Sequence, residues 1–337
     1  MTRSKTTITA AIMCLASFIL GIIFNNLFKS SSFPYLSPAV KLRTYPDLTS
    51  YTTENLSRRA ENKGDIKISS VLDQKENFTS YSIEFEVLPS EAGESKKVSG
   101  LLNIPNDDKS FPLVILVRGY VDQSIYQTGM GAQRVGEFFA ENGFMTITPD
   151  FLGYGSSNEQ DGNIFKARFE TYTTLLDLLS STDSLSNWDK KNLFMWGHSN
   201  GGHIAIAALE ITGDNIPTSL WAPVTKPFPY SVLYYTDESN DGGKFIRSEL
   251  SKFEEYHDSN LFSIHEFLNK INAPIQIHQG GNDDAVPKAW SDNFVLKMKK
   301  LDKDLNYFVY PQADHNMNPN WGEAVNKDLE FFSKFMR

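Results

Sequence analysis

Ser199 is the residue whose type and surroundings most directly suggest chemistry. It stands in the stretch 197–202, which reads Gly-His-Ser-Asn-Gly-Gly and contains the pattern Gly-x-Ser-x-Gly. A serine in a tight turn between a buried strand and a helix can act as a nucleophile, because the turn exposes its hydroxyl near the helix N-terminus. The same pattern also occurs by chance in glycine-rich turns. Its meaning therefore depends on the flanking elements and on partner residues.

A serine nucleophile needs a base that accepts its proton and an acid that orients the base. His315 is the candidate base, because it follows a predicted strand in the loop before the last helix. Asp283 is the preferred acid and lies in the glycine-rich loop 279–287 after another predicted strand, with the adjacent Asp284 as the alternative. The chain order serine, aspartate, histidine is the order expected for such a triad.

The other histidines suit the role of base less well. His198 is adjacent to the serine, so its side chain is expected to leave the turn in another direction, and His203 is expected to pack or to face solvent. His257 and His265 fall in an irregular stretch, and His278, which ends a predicted strand, is interpreted as structural.

The elements that would position these residues alternate between short apolar runs and helical patterns of about 12 residues. This alternation predicts an α/β fold with a mostly parallel central sheet and helices on both faces, preceded by antiparallel strands. The strands are predicted at 66–68, 81–87, 98–105, 112–117, 144–148, 192–196, 218–223, 274–278 and 306–310, and the helices at 131–142, 169–181, 203–209, 288–300 and 321–337.

Four motifs together carry a resemblance to a known family. They are the serine turn at 197–202, the acid loop at 280–287, the Ala-Asp-His run at 313–315 and the Pro-Asp-Phe-Leu-Gly-Tyr-Gly-Ser-Ser run at 149–157. The chain over 65–337 resembles the α/β-hydrolase superfamily, and most closely the catalytic domain of prolyl oligopeptidase family serine peptidases and their esterase-like relatives. One departure is Arg-Gly at 118–119, where the family usually has His-Gly.

The resemblance implies a serine hydrolase that works through an acyl-enzyme and needs no metal or organic cofactor. The oxyanion would be bound by the backbone N–H of Asn200 and by one from Gly119 or Tyr120. The favoured function is a membrane-anchored peptidase that cleaves short peptides. The alternatives are a carboxylesterase for small esters and a non-catalytic binding protein on a hydrolase scaffold.

The stretch 224–272 is aromatic and polar, and it is predicted to be a helical insert near the site. Most of its aromatic side chains are expected in the core, and some would line a substrate pocket if the insert covers the site. Arg118, beside the expected oxyanion loop, is a second candidate for substrate contact. It could bind a carboxylate or pair with a structural acid.

Composition excludes several other functions. The chain has 337 residues, 40% of them hydrophobic, which suffices for one large domain. The net charge is −9, and no basic stripe indicates binding of nucleic acid. The one cysteine, Cys14, lies in an apolar segment, so the globular part can hold no disulfide framework, zinc site or cysteine nucleophile.

The N-terminal residues 1–28 are predicted to form a membrane anchor. The segment 6–28 has no charged residue and is long enough to cross a bilayer as a helix. Arg3 and Lys5 precede it, which favours a cytoplasmic N-terminus and an extracytoplasmic catalytic domain. A cleaved signal peptide is the alternative. Residues 29–64, rich in serine and proline at their start, are predicted to be a tether.

Overall fold

The computed structural model describes residues 45–89 and 94–337, and Pro46–Arg337 forms one compact unit. Among the helices of these described residues, none is both long enough and apolar enough to cross a membrane. The predicted anchor at 6–28 lies outside the described residues, so it stays a prediction.

The described residues form one nine-stranded sheet, which confirms the predicted fold class. Its strands are β1 (Lys67–Gln74), β2 (Phe78–Val87), β3 (Lys96–Pro105), β4 (Phe111–Val117), β5 (Met145–Pro149), β6 (Trp188–His198), β7 (Thr218–Trp221), β8 (Ile275–Gly280) and β9 (Leu305–Tyr310). Their order across the sheet is β1-β2-β3-β5-β4-β6-β7-β8-β9. Strands β1, β2, β3 and β5 pair antiparallel, and all pairs from β5 through β4 to β9 are parallel.

Along the chain, the α-helices of the described residues lie before β1, between the strands and after β9. They are α1 (Thr53–Arg58), α2 (Gln133–Glu141), α3 (Ile164–Ser181), α4 (Asn200–Thr212), α5 (Tyr230–Tyr234), α6 (Lys244–Tyr256), α7 (Lys288–Lys300) and α8 (Trp321–Lys334).

The central strands are buried on both faces. Every residue of β4 is buried, and its sequence, Phe-Pro-Leu-Val-Ile-Leu-Val, is a continuous apolar run. Helix α4, which follows the serine turn, is likewise buried from Gly201 to Ile211. A parallel strand that is covered by helices on both faces has no solvent side, so its sequence does not alternate. This burial holds the end of β6, and hence the serine, in a fixed position.

Helix α3 begins five residues earlier than its predicted start at 169. The side chain of Asn163 caps it by accepting hydrogen bonds from the backbone N–H groups of Phe165 and Lys166, both at 3.0 Å. Its first turn mixes apolar and charged residues, so the apolar pattern alone did not mark it as helical, and Phe165 of this turn packs against Phe228 of the insert with ring centroids 5.5 Å apart. The extra turn brings Arg168 beside the catalytic edge of the sheet, as shown below.

The predicted tether 29–64 differs from the structure in its second half. From Pro46 the chain belongs to the folded unit, and Leu48, Tyr51 and Leu56 are buried. These apolar residues pack onto the domain because they are spaced to face it in a 3₁₀ turn and the short helix α1. The compact unit therefore includes residues 46–64, which the sequence had assigned to the tether.

The insert at 224–272 is helical in pieces, as predicted, and contains α5 and α6 with short 3₁₀ turns. Phe228 and Phe253 are fully buried and pack edge-on against each other with ring centroids 5.3 Å apart. Tyr230, Tyr234 and Phe245 remain exposed. Most of the aromatic side chains of the insert were expected in the core, but of these five only Phe228 and Phe253 are buried there.

Candidate active site

Ser199 occupies a strained turn between β6 and α4. Its backbone angles are φ 54° and ψ −121°, which non-glycine residues rarely adopt. The turn is held from both sides, since the Ser199 N–H donates to the carbonyl of Trp221 at 2.9 Å and the Ser199 carbonyl accepts from the Val224 N–H at 2.9 Å. The strain and the bracing together project the hydroxyl from the carboxyl edge of the sheet.

Glycines let the backbone close around this turn. A Cβ atom at Gly201 would lie 1.9 Å from the carbonyl oxygen of Val117, so the first turn of α4 approaches β4 more closely than any side chain allows. A Cβ atom at Gly119 would lie 2.9 Å from the Cβ of Ser199. The loop after β4 therefore runs directly against the serine, where the sequence placed the oxyanion site.

His315 and Asp283 form a hydrogen-bonded pair. The His315 Nδ1 atom lies 3.0 Å from each carboxylate oxygen of Asp283. The acid therefore holds Nδ1 as the protonated nitrogen and leaves Nε2 as the nitrogen that can accept a proton. His315 lies in the loop after β9, and Asp283 in the loop after β8, as predicted.

The environment of Asp283 favours its ionised form. Burial by itself raises the pKa of this carboxyl, but hydrogen bonds from His315 and from the backbone N–H groups of Val286 and Ala285 outweigh burial and lower the pKa. Gln279 donates a further hydrogen bond at 3.0 Å. The neighbouring Asp284 is exposed. Of the two adjacent aspartates, the structure brings Asp283 to the histidine.

The predicted oxyanion donors border the serine. Asn200 is the first residue of α4, so its backbone N–H is one of those that have no partner within the helix. Gly119 packs against Ser199, and the Tyr120 side chain next to it is 76% exposed. Backbone N–H groups at this position could stabilise a negatively charged oxygen.

Arg118 serves the structure of this loop. It is 4% exposed, and it donates hydrogen bonds to the carbonyls of Gly119 at 2.9 Å and Asp150 at 2.6 Å. Its guanidinium carbon lies 4.5 and 4.1 Å from the ring centroids of Tyr126 and Tyr154, which are themselves in edge-to-face contact. Of the two roles open to Arg118 in the sequence, the structure favours the structural one, although its partners are carbonyls and aromatic rings rather than an acid side chain.

His198 takes part in the site in a way that the sequence did not indicate. Its ring packs against His315 with centroids 4.7 Å apart, and its Nε2–H donates to the His315 carbonyl at 3.1 Å. Burial, followed by the nearby His315, lowers the pKa of His198 to about 4, so the ring stays neutral. A neutral His198 fixes the backbone of the His315 loop without adding a competing charge. The only feature of the sequence that pointed to this role was that His198 is adjacent to Ser199.

Two further histidines are structural. His203 is fully buried and bridges the Val224 carbonyl and the Tyr172 hydroxyl, each at 3.0 Å. His278, also fully buried, contacts Asp328 at 2.9 Å and the Tyr310 hydroxyl at 2.8 Å. The interpretation of His278 as structural agrees with this burial.

Two cavities lie at this edge of the sheet. One has a volume of about 240 Å³ and is lined by Gly119, Tyr120, Asn200 and the face of α3 that carries Arg168; it is called here the Arg168 cavity. The other has a volume of about 530 Å³ and is called the tryptophan cavity. Its walls include Trp196, His198, Trp221, Asn316, Trp321 and Arg134. In the described residues, no group of three or more His, Cys, Asp or Glu side chains is placed to hold a metal ion.

Comparisons with known proteins agree with this architecture. Residues 134–337 match the family model described as the prolyl oligopeptidase family. Dipeptidyl peptidase family member 6 of Caenorhabditis elegans is 25% identical over 198 residues, and dipeptidyl aminopeptidase BIII of Pseudoxanthomonas mexicana is 23% identical over 267 residues. These alignments cover 56% and 71% of this chain but 26% and 36% of the relatives. The chain thus spans about a quarter to a third of the curated relatives it matches.

Solved structures show the same fold. An acetyl xylan esterase from a Paenibacillus species superimposes with a TM-score of 0.62 at 16% identity, covering 83% of this chain and 91% of its own. An esterase of Pyrococcus furiosus gives a TM-score of 0.55 at 17% identity, covering 82% of this chain and 100% of its own. At these identities the likeness establishes the α/β-hydrolase fold and not the substrate.

Proposed function

This chain belongs to the prolyl oligopeptidase family and is a serine hydrolase, and we propose that it is a peptidase that cleaves short peptides. The observation that carries the proposal is the Asp283–His315 pair on the loops next to the strained turn of Ser199. The family match and the two dipeptidyl peptidase relatives support amide bonds as the target.

The proposed mechanism follows from this arrangement. Ser199 Oγ attacks the acyl carbon while His315 Nε2 accepts its proton, and Asp283 stabilises the imidazolium that forms. The backbone N–H of Asn200 and one from the Gly119–Tyr120 loop bind the oxyanion, and losing one such donor costs roughly 3 kcal/mol of transition-state stabilisation. His315 then protonates the leaving amine, and water repeats the cycle on the acyl-enzyme.

A carboxylesterase is the second candidate, because the same groups cleave esters. The two superposed esterases share this fold over nine-tenths or more of their length, so the scaffold is compatible with ester cleavage. Cleavage of an amide bond distinguishes a peptidase from an esterase, because amides resist hydrolysis far more than activated esters do. A panel of dipeptide 4-nitroanilides, including Xaa-Pro, and p-nitrophenyl esters distinguishes them.

Ser199→Ala is the matched control for this panel. We expect amide cleavage that disappears in Ser199→Ala, with a loss of roughly 10⁴-fold or more in kcat. Ester turnover alone would favour the esterase. Full turnover in Ser199→Ala would refute the serine mechanism, and failure of a fluorophosphonate to label Ser199 would favour a non-catalytic binding protein.

We further propose that the segment 6–28 anchors the chain in a membrane with the catalytic domain outside the cytoplasm. The support is its length without a charge and the preceding Arg3 and Lys5. Fractionation of the full chain tests this proposal. Release of the enzyme from membranes by alkaline carbonate would contradict an integral anchor.

A further inference from the structure

The Arg168 cavity adjoins the position where the substrate carbonyl would react. Its lining includes Gly119, Tyr120 and Asn200, whose backbone is the proposed oxyanion site, and residues of helix α3, among them Arg168. At about 240 Å³ the cavity has room for a short side chain rather than for a large ligand. A group bound here would therefore be only a few bonds away from the acyl carbon that Ser199 attacks.

Arg168 is an unusual residue in this lining. Its Nε and Nη2 atoms are buried, and neither has a hydrogen-bond partner in the described part of the chain. A guanidinium has five N–H donors, and leaving buried donors unpaired is costly. Such a group in a cavity next to reacting atoms fits a ligand that supplies the missing acceptors.

The other charges that line the cavity have partners. Glu170 lies 3.5 Å from the ammonium group of Lys96, and it also accepts a hydrogen bond from the Asp161 N–H at 3.1 Å. Arg118 donates a hydrogen bond to the Asp150 carbonyl and lies against the ring of Tyr126. The Tyr126 hydroxyl in turn donates to the Asp150 carboxylate at 2.7 Å. Arg118 keeps one buried nitrogen, Nε, without a partner among the described residues, whereas Arg168 keeps two, so Arg168 has the larger unmet capacity to bind an anion.

Helix α3 holds Arg168 in place over α4. Tyr172 lies one turn further along α3, and its hydroxyl donates to His203 Nε2 at 3.0 Å. His203 belongs to the first turn of α4, and its Nδ1–H donates to the Val224 carbonyl at 3.0 Å. Burial raises the pKa of Tyr172, and the nearby Arg168 charge acts in the opposite direction. The cation is thus positioned relative to the helix that begins at Asn200.

The geometry also indicates which part of the substrate enters the cavity. The leaving group must lie within reach of His315, because His315 protonates it. None of the lining residues, all of them in the described part of the chain, comes from the loops that carry Asp283 and His315. The cavity lies on the oxyanion side, so it faces the acyl half of the substrate.

We propose that the Arg168 cavity binds a carboxylate on the acyl half of the substrate. In a peptide this group is the side chain of a glutamate or aspartate whose carbonyl is attacked, and in an ester it is the second carboxylate of a dicarboxylic acid. A guanidinium binds a carboxylate through two parallel hydrogen bonds, which its two unpaired nitrogens can supply. This inference rests on the proposed serine hydrolase mechanism and specifies its substrate class.

A matched substrate pair tests the inference on the full chain. The α-ethyl esters of N-acetylglutamate and N-acetylglutamine differ only in a carboxylate against an amide, and both peptidases and esterases can cleave them. We expect kcat/KM to favour the glutamate ester by roughly tenfold to hundredfold, the range of a charge-assisted hydrogen bond. In Arg168→Gln the glutamate ester should lose most of this advantage, so that the ratio of the two kcat/KM values falls toward one.

Arg134→Gln is the matched control, because Arg134 is an arginine at the same edge that stacks over Trp321 in the tryptophan cavity. It should leave the ratio of the two esters unchanged, and Arg168→Lys should retain part of the preference. No preference in the wild-type protein, or an equal loss on both esters in Arg168→Gln, would overturn the inference. If a fluorophosphonate labels Ser199 but neither ester is cleaved, the inference is wrong and the serine hydrolase assignment stands. If Ser199→Ala keeps full turnover, the mechanism itself is wrong.

Discussion

Asp283 orients His315 through two contacts of 3.0 Å. The hydrogen bonds from His315 and from two backbone N–H groups keep the Asp283 carboxyl ionised, because an ionised carboxylate accepts them better than a protonated carboxyl does. The adjacent Asp284 is exposed. The pair thus offers two chemically identical substitutions, of which one alters the site and the other alters the surface.

We expect Asp283→Asn to lower kcat by roughly 10³-fold to 10⁴-fold, because an amide can donate to His315 Nδ1 and so stabilise the wrong tautomer. Asp284→Asn should change kcat by less than about twofold. Steady-state kinetics on the best substrate of the panel measures both. Equal effects of the two variants would show that Asp283 does not act through His315.

Glu210 is a second residue whose environment sets its protonation. It is 1% exposed on α4, and its two carboxyl oxygens are buried without a hydrogen-bond partner among the described residues. Burial raises its pKa well above the ordinary value. The folded state therefore keeps the carboxyl neutral at pH values where the unfolded chain ionises it.

This difference makes Glu210 a source of pH-dependent instability. Because the folded pKa is raised, the group favours folding below the unfolded pKa, and this contribution is lost as pH rises toward the folded pKa. In Glu210→Gln the free energy of unfolding should exceed that of the wild type increasingly with pH, by up to about 1.4 kcal/mol per pH unit within that window. Urea unfolding from pH 5.5 to 8.5 measures the difference. A constant difference between the two proteins would contradict a neutral Glu210.

At the scale of elements, the turn from β6 to α4 requires a residue without a Cβ atom. Gly201 is the second residue of α4, and the space for its Cβ is occupied by the Val117 carbonyl. Gly322 is the second residue of α8, and a Cβ there would meet nothing within 4 Å. The two glycines have the same place in a helix but opposite surroundings.

We expect Gly201→Ala to destabilise the protein by more than about 2 kcal/mol and to abolish fluorophosphonate labelling of Ser199, because β4 and α4 must separate. Gly322→Ala should be neutral or stabilising by up to about 1 kcal/mol, because it removes backbone freedom from the unfolded chain. Thermal unfolding and labelling rates check both. A tolerated Gly201→Ala would mean that the close approach is not required.

The elements were predicted unevenly, and the reason lies in how each is stabilised. Strand β4 and helix α7 are close to their predicted bounds, since an apolar run or an amphipathic pattern marks them in the sequence itself. The start of α3 was missed, because Asn163 is recognisable as a cap only once the following residues are known to be helical.

At the scale of the whole molecule, the segment before the sheet is joined to the domain by a buried ion pair. Arg59 lies 2.6 Å from Asp177 of α3, and their side chains are 8% and 0% exposed. Arg59 also donates to the Leu88 carbonyl at 2.7 Å. The adjacent Arg58 pairs with Glu54 on the surface, where both side chains are more than half exposed.

Arg59→Met should therefore lower the free energy of unfolding by about 3–5 kcal/mol, because it leaves Asp177 buried without a countercharge. Arg58→Met should change it by less than about 1 kcal/mol, as for exposed ion pairs in general. Chemical denaturation of the full chain compares them. Similar midpoints for the two variants would mean that residues 46–64 contribute little to the domain.

The sequence by itself determined the fold class and the loops that carry the proposed triad, because apolar periodicity and the carboxyl ends of parallel strands are local signals. Tertiary structure decided the rest. The choice of Asp283 over Asp284, the support of His315 by His198 and the packing of residues 46–64 all arise from contacts between residues far apart in the chain, and the two unpartnered nitrogens of Arg168 arise from burial. Such contacts depend on distances and burial that no spacing within the sequence encodes.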